Sequence, residues 1–234
     1  MIFSDATLNC EDYFGGDPNK VCLVGQSAGA HLGAITIIRK ILSSIQTSVN
    51  DLNFDEPSTC KSWKATDLKG FMAVSGPYNM MNMREIFYRH GLPKNVINAI
   101  FCNNLEGFSP VHLLESLMIS GDKGQKDFSS FFPPISIIHG TSDKTVPVRE
   151  ATEFAEILSA IGVQLDLSLY DGWTHTDAIL EAPMDGNHRF HADILKAVSF
   201  WTGNSKLYFD EQHSACKRIC PKFLIVIGRW LNPF

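Results

Sequence analysis

The chain has 234 residues, 44% of them hydrophobic, and a net charge of -5. That length suits one domain with a real core, and the mild acidity excludes a basic footprint for nucleic acid and a polybasic membrane patch. Six cysteines (Cys10, Cys22, Cys60, Cys102, Cys216 and Cys220) lack C-x-x-C spacing. In a chain this long they read as mostly reduced thiols, which favours a reducing compartment.

Met1 to Asp5 does not resemble a signal peptide, since no basic region precedes a long apolar core. Gly15-Gly16-Asp17-Pro18-Asn19 is a cluster of turn formers that stops any preceding helix. The apolar run Val21–Val24 predicts a strand. It leads into Gly25-Gln26-Ser27-Ala28-Gly29, a G-x-S-x-G sequence, and then into a predicted helix through about Lys40. Leu32, Ile35, Ile37, Ile38, Ile41 and Leu42 are too many apolar residues for a wet face, so that helix is expected to be buried on most of one side. Residues 43–66 are polar and without periodicity, as in an excursion over the surface.

Leu68 to Ser75 predicts a second strand, ended by Gly76-Pro77-Tyr78-Asn79. Residues 80–130 form a helical insertion rich in Met and aromatic residues. Either it caps an apolar pocket, because Met adapts to irregular ligands, or it is a helical excursion with its own small core. Ile135–Gly140 predicts a third strand, Val148–Ile161 an amphipathic helix stopped by Gly162, and Leu165–Tyr170 a fourth, alternating strand. A further helix is expected over His191–Trp201, and the tail from Ser214 is weakly helical. Phe223 to Leu231 is broken by Gly228 and Arg229 and is too short to span a bilayer. Strands alternating with helices imply a mainly parallel α/β sheet covered on both faces, in a single domain over 1–234.

In such sheets functional groups collect at the carboxyl ends of the strands. Ser27, Asp143 and His175 each follow a predicted strand, and their order, Ser…Asp…His, is that of the α/β-hydrolases. A serine hydroxyl needs a base to take its proton, a neutral imidazole can do so, and a carboxylate fixes the imidazole tautomer. In the elbow, Gly25 and Gly29 are small enough for the sharp turn, Gln26 precedes the nucleophile, and the Ala28 amide is an oxyanion donor. Competing residues have plainer roles. Ser27 alone could be a helix cap; Asp122, Asp171 and Asp177 read as turn formers, caps or solvated charges. His31 should lie along its own helix surface, and His139 reads as a packed core histidine. His188 and His191 have metal-like spacing but no third ligand nearby, and no metal or cofactor is called for. Trp173 is either a pocket wall or simple packing.

The segments Gly-Gly-Asp-Pro-Asn, Val-Gly-Gln-Ser-Ala-Gly-Ala-His-Leu, His-Gly-Thr-Ser-Asp-Lys-Thr-Val-Pro and Gly-Trp-Thr-His-Thr-Asp together resemble the plant isoprenylcysteine methylesterases, in the esterase/lipase branch of the α/β-hydrolases. The similarity runs from about Gly15 to the closing Asn232-Pro233-Phe234 and includes Phe108-Ser109-Pro110. The resemblance implies that Ser27, Asp143 and His175 form a triad. It also implies as substrate the methyl ester of an isoprenylated C-terminal cysteine, on a prenylated protein or free prenylcysteine. It further implies an endoplasmic reticulum or Golgi membrane location, cytosol-facing and held by upstream segments, although this chain alone reads as soluble and intracellular.

The family carries several strands and a His-Gly-Gly loop ahead of the elbow, and only about 20 residues precede the first strand here. A truncated gene model, splice form or fragment is therefore expected, with an open sheet edge and an oxyanion hole half built from Ala28. Two alternatives stand beside the methylesterase: a catalytically impaired truncated form, and a small-ester carboxylesterase or arylformamidase-like hydrolase with a similar elbow.

Overall fold

The computed structural model describes residues 16–46, 63–121, 128–204 and 218–231. Its centre is a four-stranded parallel sheet of β1 (Cys22–Gln26), β2 (Gly70–Val74), β3 (Ile135–Gly140) and β4 (Leu165–Tyr170), laid side by side in chain order. β3 and β4 have the bounds their sequences predict, while β1 runs two residues further, into the elbow. All five residues of β2 and all six of β3 are buried, as expected of strands covered on both faces.

Alternation divides the side chains between two cores. Phe71, Ala73, Ile135 and Ile137 face a layer built from α1 (Ala28–Gln46), α4 (Pro110–Gly121) and α5 (Arg149–Ile161). Met72, Val74 and Ile138 face α7 (Arg189–Thr202), with Phe190, Ile194 and Trp201 packed against them. Each fully buried aliphatic side chain contributes about 1.5–3 kcal/mol. β1 forms one edge of the described sheet. Val24, on the same face as Met72, is 44% exposed.

The nucleophile-side helix is longer than its sequence indicates. α1 continues past Lys40 to Gln46, through residues whose polarity suggests an excursion. Ala30, Ala34, Ile35, Ile37, Ile38 and Ile41 are buried, whereas Leu32 points to solvent. In the polar 43–46 stretch, Ser43 and Ser44 turn their hydroxyls back to the Lys40 carbonyl, which satisfies them within the helix. The remainder of the expected excursion, 47–62, lies outside the described residues, as do Cys10, Cys60, Cys216 and Asp122. Cys22, Cys102 and Cys220 are free thiols.

The insertion supplies α2 (Met80–Arg89), α3 (Lys94–Ile100) and α4. Asn79 caps α2 by accepting the Met81 and Asn82 amides, as short polar side chains do at a helix start. Met80, Met83, Ile97 and Leu105 form a small core with Val146, and α4 returns to the main core through Val111, Leu114 and Leu117. α5 begins one residue later than expected and ends, as expected, on Gly162 at φ 86°. α6 (Glu181–Met184) precedes α7, which starts two residues before its predicted position, and α8 (Lys222–Leu231) follows. Among the described residues no helix is long and apolar enough to cross a membrane.

A Cβ at Gly25 would sit 2.5 Å from the Gly29 carbonyl oxygen and 2.7 Å from the Ala30 nitrogen, both main-chain atoms of the first turn of α1. The strand and helix meet that closely only without a side chain. Overpacking of this kind costs about 1–3 kcal/mol. Gly25→Ala is therefore expected to lower the melting temperature by roughly 3–10 °C, measured by circular dichroism.

Candidate active site

Ser27 occupies the sharp turn between β1 and α1 with φ 53°, a left-handed conformation rare for a residue with a side chain. Two main-chain bonds hold it there: its amide donates to the Val74 carbonyl at 2.8 Å, and its carbonyl accepts the His31 amide at 3.1 Å. Ala28 and Gly29 open α1 next to the serine and are exposed, and the first amides of a helix have no partner within it. Ser75, at the end of the neighbouring β2, is also left-handed (φ 49°). The loop after it is pinned by Glu150, a wholly buried carboxylate that accepts the Tyr78 and Asn79 amides at 3.0 and 2.7 Å. Burial pushes that carboxyl upward, against the pull of those two amides.

The loops after β3 and β4 are locked together. A Cβ at Gly140 would lie 2.2 Å from the Trp173 carbonyl oxygen, so only glycine permits the approach. That same carbonyl accepts the Ser142 amide at 2.9 Å, and Thr141 donates its amide to Tyr170. Asp143 is buried and satisfied on both oxygens. Oδ1 accepts the Thr145 and Val146 amides at 2.9 and 2.8 Å, the local turn that aspartate favours. Oδ2 lies 2.7 Å from His175 Nδ1 and 3.4 Å from His139 Nε2. Burial raises the Asp143 carboxyl, but hydrogen bonds from His139, His175 and the Val146 amide outweigh it and hold the group down at about 2.

His175 bridges to the serine, its Nε2 standing 2.9 Å from Ser27 Oγ. With Asp143 ionised, its oxygens only accept, so Nδ1 carries the proton and Nε2 is left with a lone pair for the Ser27 hydroxyl. Ser27, His175 and Asp143 thus form one continuous hydrogen-bonded relay across the ends of β1, β3 and β4.

The other sequence candidates fall elsewhere. His31 is buried, its Nδ1 2.9 Å from the Pro77 carbonyl, rather than lying on an open helix surface. His139 is a core histidine that donates Nε2–H to the Val146 carbonyl at 2.8 Å. Its approach to Asp143 was not anticipated, though the four-residue spacing at a strand end could have suggested it. Trp173 packs edge-on against Tyr170, with ring centres 4.4 Å apart. His188 and His191 sit beside each other, and no cluster among the described residues could hold a metal ion. Of the readings of Asp177 as turn former, cap or solvated charge, the last is corrected: it is fully buried, and within its turn it accepts the Thr174 amide. Sequence reasoning also missed the Gln26 side chain, which donates to the His175 carbonyl at 3.3 Å and so ties the elbow to the histidine loop.

The depressed Asp143 carboxyl has a consequence for stability. A carboxylate at about 2 in the folded chain and 3.8 in the unfolded one stabilises the fold fully above pH 4, and the gain is lost as pH falls towards 2. It amounts to roughly 2 kcal/mol. Urea unfolding of the protein and of Asp143→Asn is expected to differ by about that much at pH 7 and to converge near pH 2.

Known proteins share this architecture. Esterase 2 of Thermogutta terrifontis superposes with a TM-score of 0.54 at 20% identity, over 89% of this chain and 65% of the esterase. An acylaminoacyl peptidase of Pyrococcus horikoshii superposes at 0.53 with 14% identity, over 84% of this chain and 26% of the peptidase. These likenesses establish an α/β-hydrolase fold. By sequence, a probable isoprenylcysteine alpha-carbonyl methylesterase of Oryza sativa subsp. japonica is 31% identical over 94% of this chain. The isoprenylcysteine alpha-carbonyl methylesterase of Arabidopsis thaliana is 30% identical over a similar share. The chain spans about half the length of these relatives, 49% and 48%. Residues 8–158, well over half the chain, match the BD-FAE family. With that match the chain belongs to the BD-FAE family, on an α/β-hydrolase fold.

Proposed function

We propose that this chain is a carboxylic ester hydrolase acting through Ser27, His175 and Asp143, with isoprenylcysteine methyl esters as substrates. The observation that carries the reading is the relay itself, 2.9 Å from Ser27 Oγ to His175 Nε2 and 2.7 Å from His175 Nδ1 to Asp143.

Ser27 Oγ attacks the ester carbonyl carbon as His175 Nε2 takes its proton. The oxyanion that forms lies over the start of α1, where the Ala28 amide donates to it and the positive end of the helix dipole favours it. Collapse of the tetrahedral intermediate expels methoxide, which leaves as methanol with the proton held by His175. Water then attacks the acyl-enzyme, again losing its proton to His175, and the carboxylic acid departs as Ser27 recovers its hydrogen. Asp143 stays ionised throughout, orienting the imidazole and stabilising its charged form.

The choice of a prenylcysteine ester rests on the likeness to the two plant methylesterases. The elbow and relay by themselves serve any acyl substrate that fits. A fluorophosphonate probe is expected to label Ser27, and a folded protein without that label would sink the catalytic reading. Hydrolysis of farnesylcysteine methyl ester beside that of N-formylkynurenine then tests the substrate. Preference for the formamide would move the assignment to an arylformamidase-like activity.

A further inference from the structure

The loop carrying His175 is anchored by a buried charge that the reaction does not use. Asp177, with none of its surface exposed, accepts the Thr174 amide at 2.6 Å and the Thr174 hydroxyl at 2.8 Å on Oδ2. Its carbonyl accepts the Ala182 amide at 3.0 Å, and its Oδ1 is ion-paired with Arg229 of α8. A carboxylate cut off from water two residues from a catalytic base needs a counter-charge, because desolvation without one costs several kcal/mol.

The orientation of α8 points the same way. Phe223, Val226, Ile227 and Trp230 are all exposed along its outer side, while Arg229, on the side of the buried Ile225 and itself partly exposed, reaches the buried Asp177. Hydrophobic burial alone would turn the helix the other way. The helix is seated by polar ties: Ile219 and Cys220 donate their amides to the Met184 carbonyl, Arg218 pairs with Asp185, and Arg229 with Asp177.

We infer that Arg229 is a positioning residue for His175, acting through Asp177: it fixes the histidine loop and cancels the Asp177 charge at the imidazole. This inference rests on the reading of His175 as the general base. Asp143 touches that imidazole, with His139 of the β3 end on the same carboxylate; the other charged or titratable groups tied to the histidine loop are Asp177 on the loop itself, Glu181 of α6 through Thr176 Oγ1, and Arg229 of α8 through Asp177. Asp143 is already in contact with the ring and Glu181 reaches the loop only through Thr176, so Arg229 is the group that decides whether the Asp177 charge is felt there as well. An uncompensated carboxylate favours the imidazolium, which cannot accept the Ser27 proton, so the acid limb of the activity profile must move to higher pH.

The test is the rate of fluorophosphonate labelling at Ser27 from pH 5 to 9, read with thermal melting, for the full chain and three variants. Arg229→Ala is expected to move the acid limb up by about one pH unit and to slow labelling near pH 6 about tenfold, with the alkaline plateau within threefold. Arg229→Lys, which keeps the charge, is expected to stay within half a unit of the parent. The double variant Asp177→Asn with Arg229→Ala removes both charges and is expected to return the limb to its original position, even if it melts lower. An unshifted limb in Arg229→Ala, or an equal shift or equal loss at all pH in the double variant, overturns the inference and leaves a purely structural clamp. A parent protein that does not label overturns the catalytic reading and this inference with it.

Discussion

Ser27→Ala is expected to remove ester hydrolysis almost entirely, by a factor on the order of 10⁴–10⁶ in kcat, with binding of the ester little changed. The magnitude follows from the kind of step lost: without Oγ there is no acyl-enzyme, and what remains is the stabilisation that the oxyanion donors give a water molecule. The backbone at Ser27 is already left-handed at φ 53° and is held by the Val74 and His31 bonds. An alanine meets the same strain and keeps both bonds, so the melting temperature should stay within a few degrees. Hydrolysis of p-nitrophenyl acetate and probe labelling measure the effect together. A variant that keeps more than a tenth of the activity would mean that another nucleophile acts.

Asp143→Asn ranks second, with an expected fall in kcat of about 10³–10⁴. The carboxylate forces the proton onto His175 Nδ1 because it can only accept. An amide at that position can donate instead and stabilise the opposite tautomer, whose Nε2 then carries hydrogen and cannot take the Ser27 proton. KM should hardly move, because no contact with substrate is lost. Activity should recover partly at high pH, where hydroxide replaces the missing base. Equal losses in KM and kcat would indicate collapse of the loop rather than a wrong tautomer, and the unfolding comparison at pH 7 separates the two.

The strand ends were legible in the sequence because each of the three chemical residues follows an apolar run and a turn former. β3 and β4 begin and end where their periodicity places them. The helix after the elbow was misjudged at its far end, since two serines that look like surface polarity bond back to Lys40 within the helix. The tie from Gln26 to the His175 carbonyl, the pairing of Asp177 with Arg229 and the approach of His139 to Asp143 were not legible. Such contacts join residues whose separation along the chain says nothing about their distance in space, and neither hydrophobic period nor turn chemistry reports on them. Burial of Asp177 in particular runs against the usual exposure of aspartate, and it takes the two Thr174 donors together with a cation from a distant helix to account for it.

Strand order has a temporal meaning as well. Each strand pairs with the next one in the chain, so a polypeptide emerging amino-terminus first can lay every new strand on the free edge left by the last. Ser27 and its partner His175 are separated by 148 residues. At roughly 5–20 residues per second, that interval lasts about 7–30 seconds on the ribosome. The turn at Ser27 needs β2, whose Val74 carbonyl accepts its amide, and the hydroxyl needs His175, which follows β4. The order of the strands therefore places the meeting of Ser27 and His175 late in synthesis, after the scaffold beneath it has been laid down.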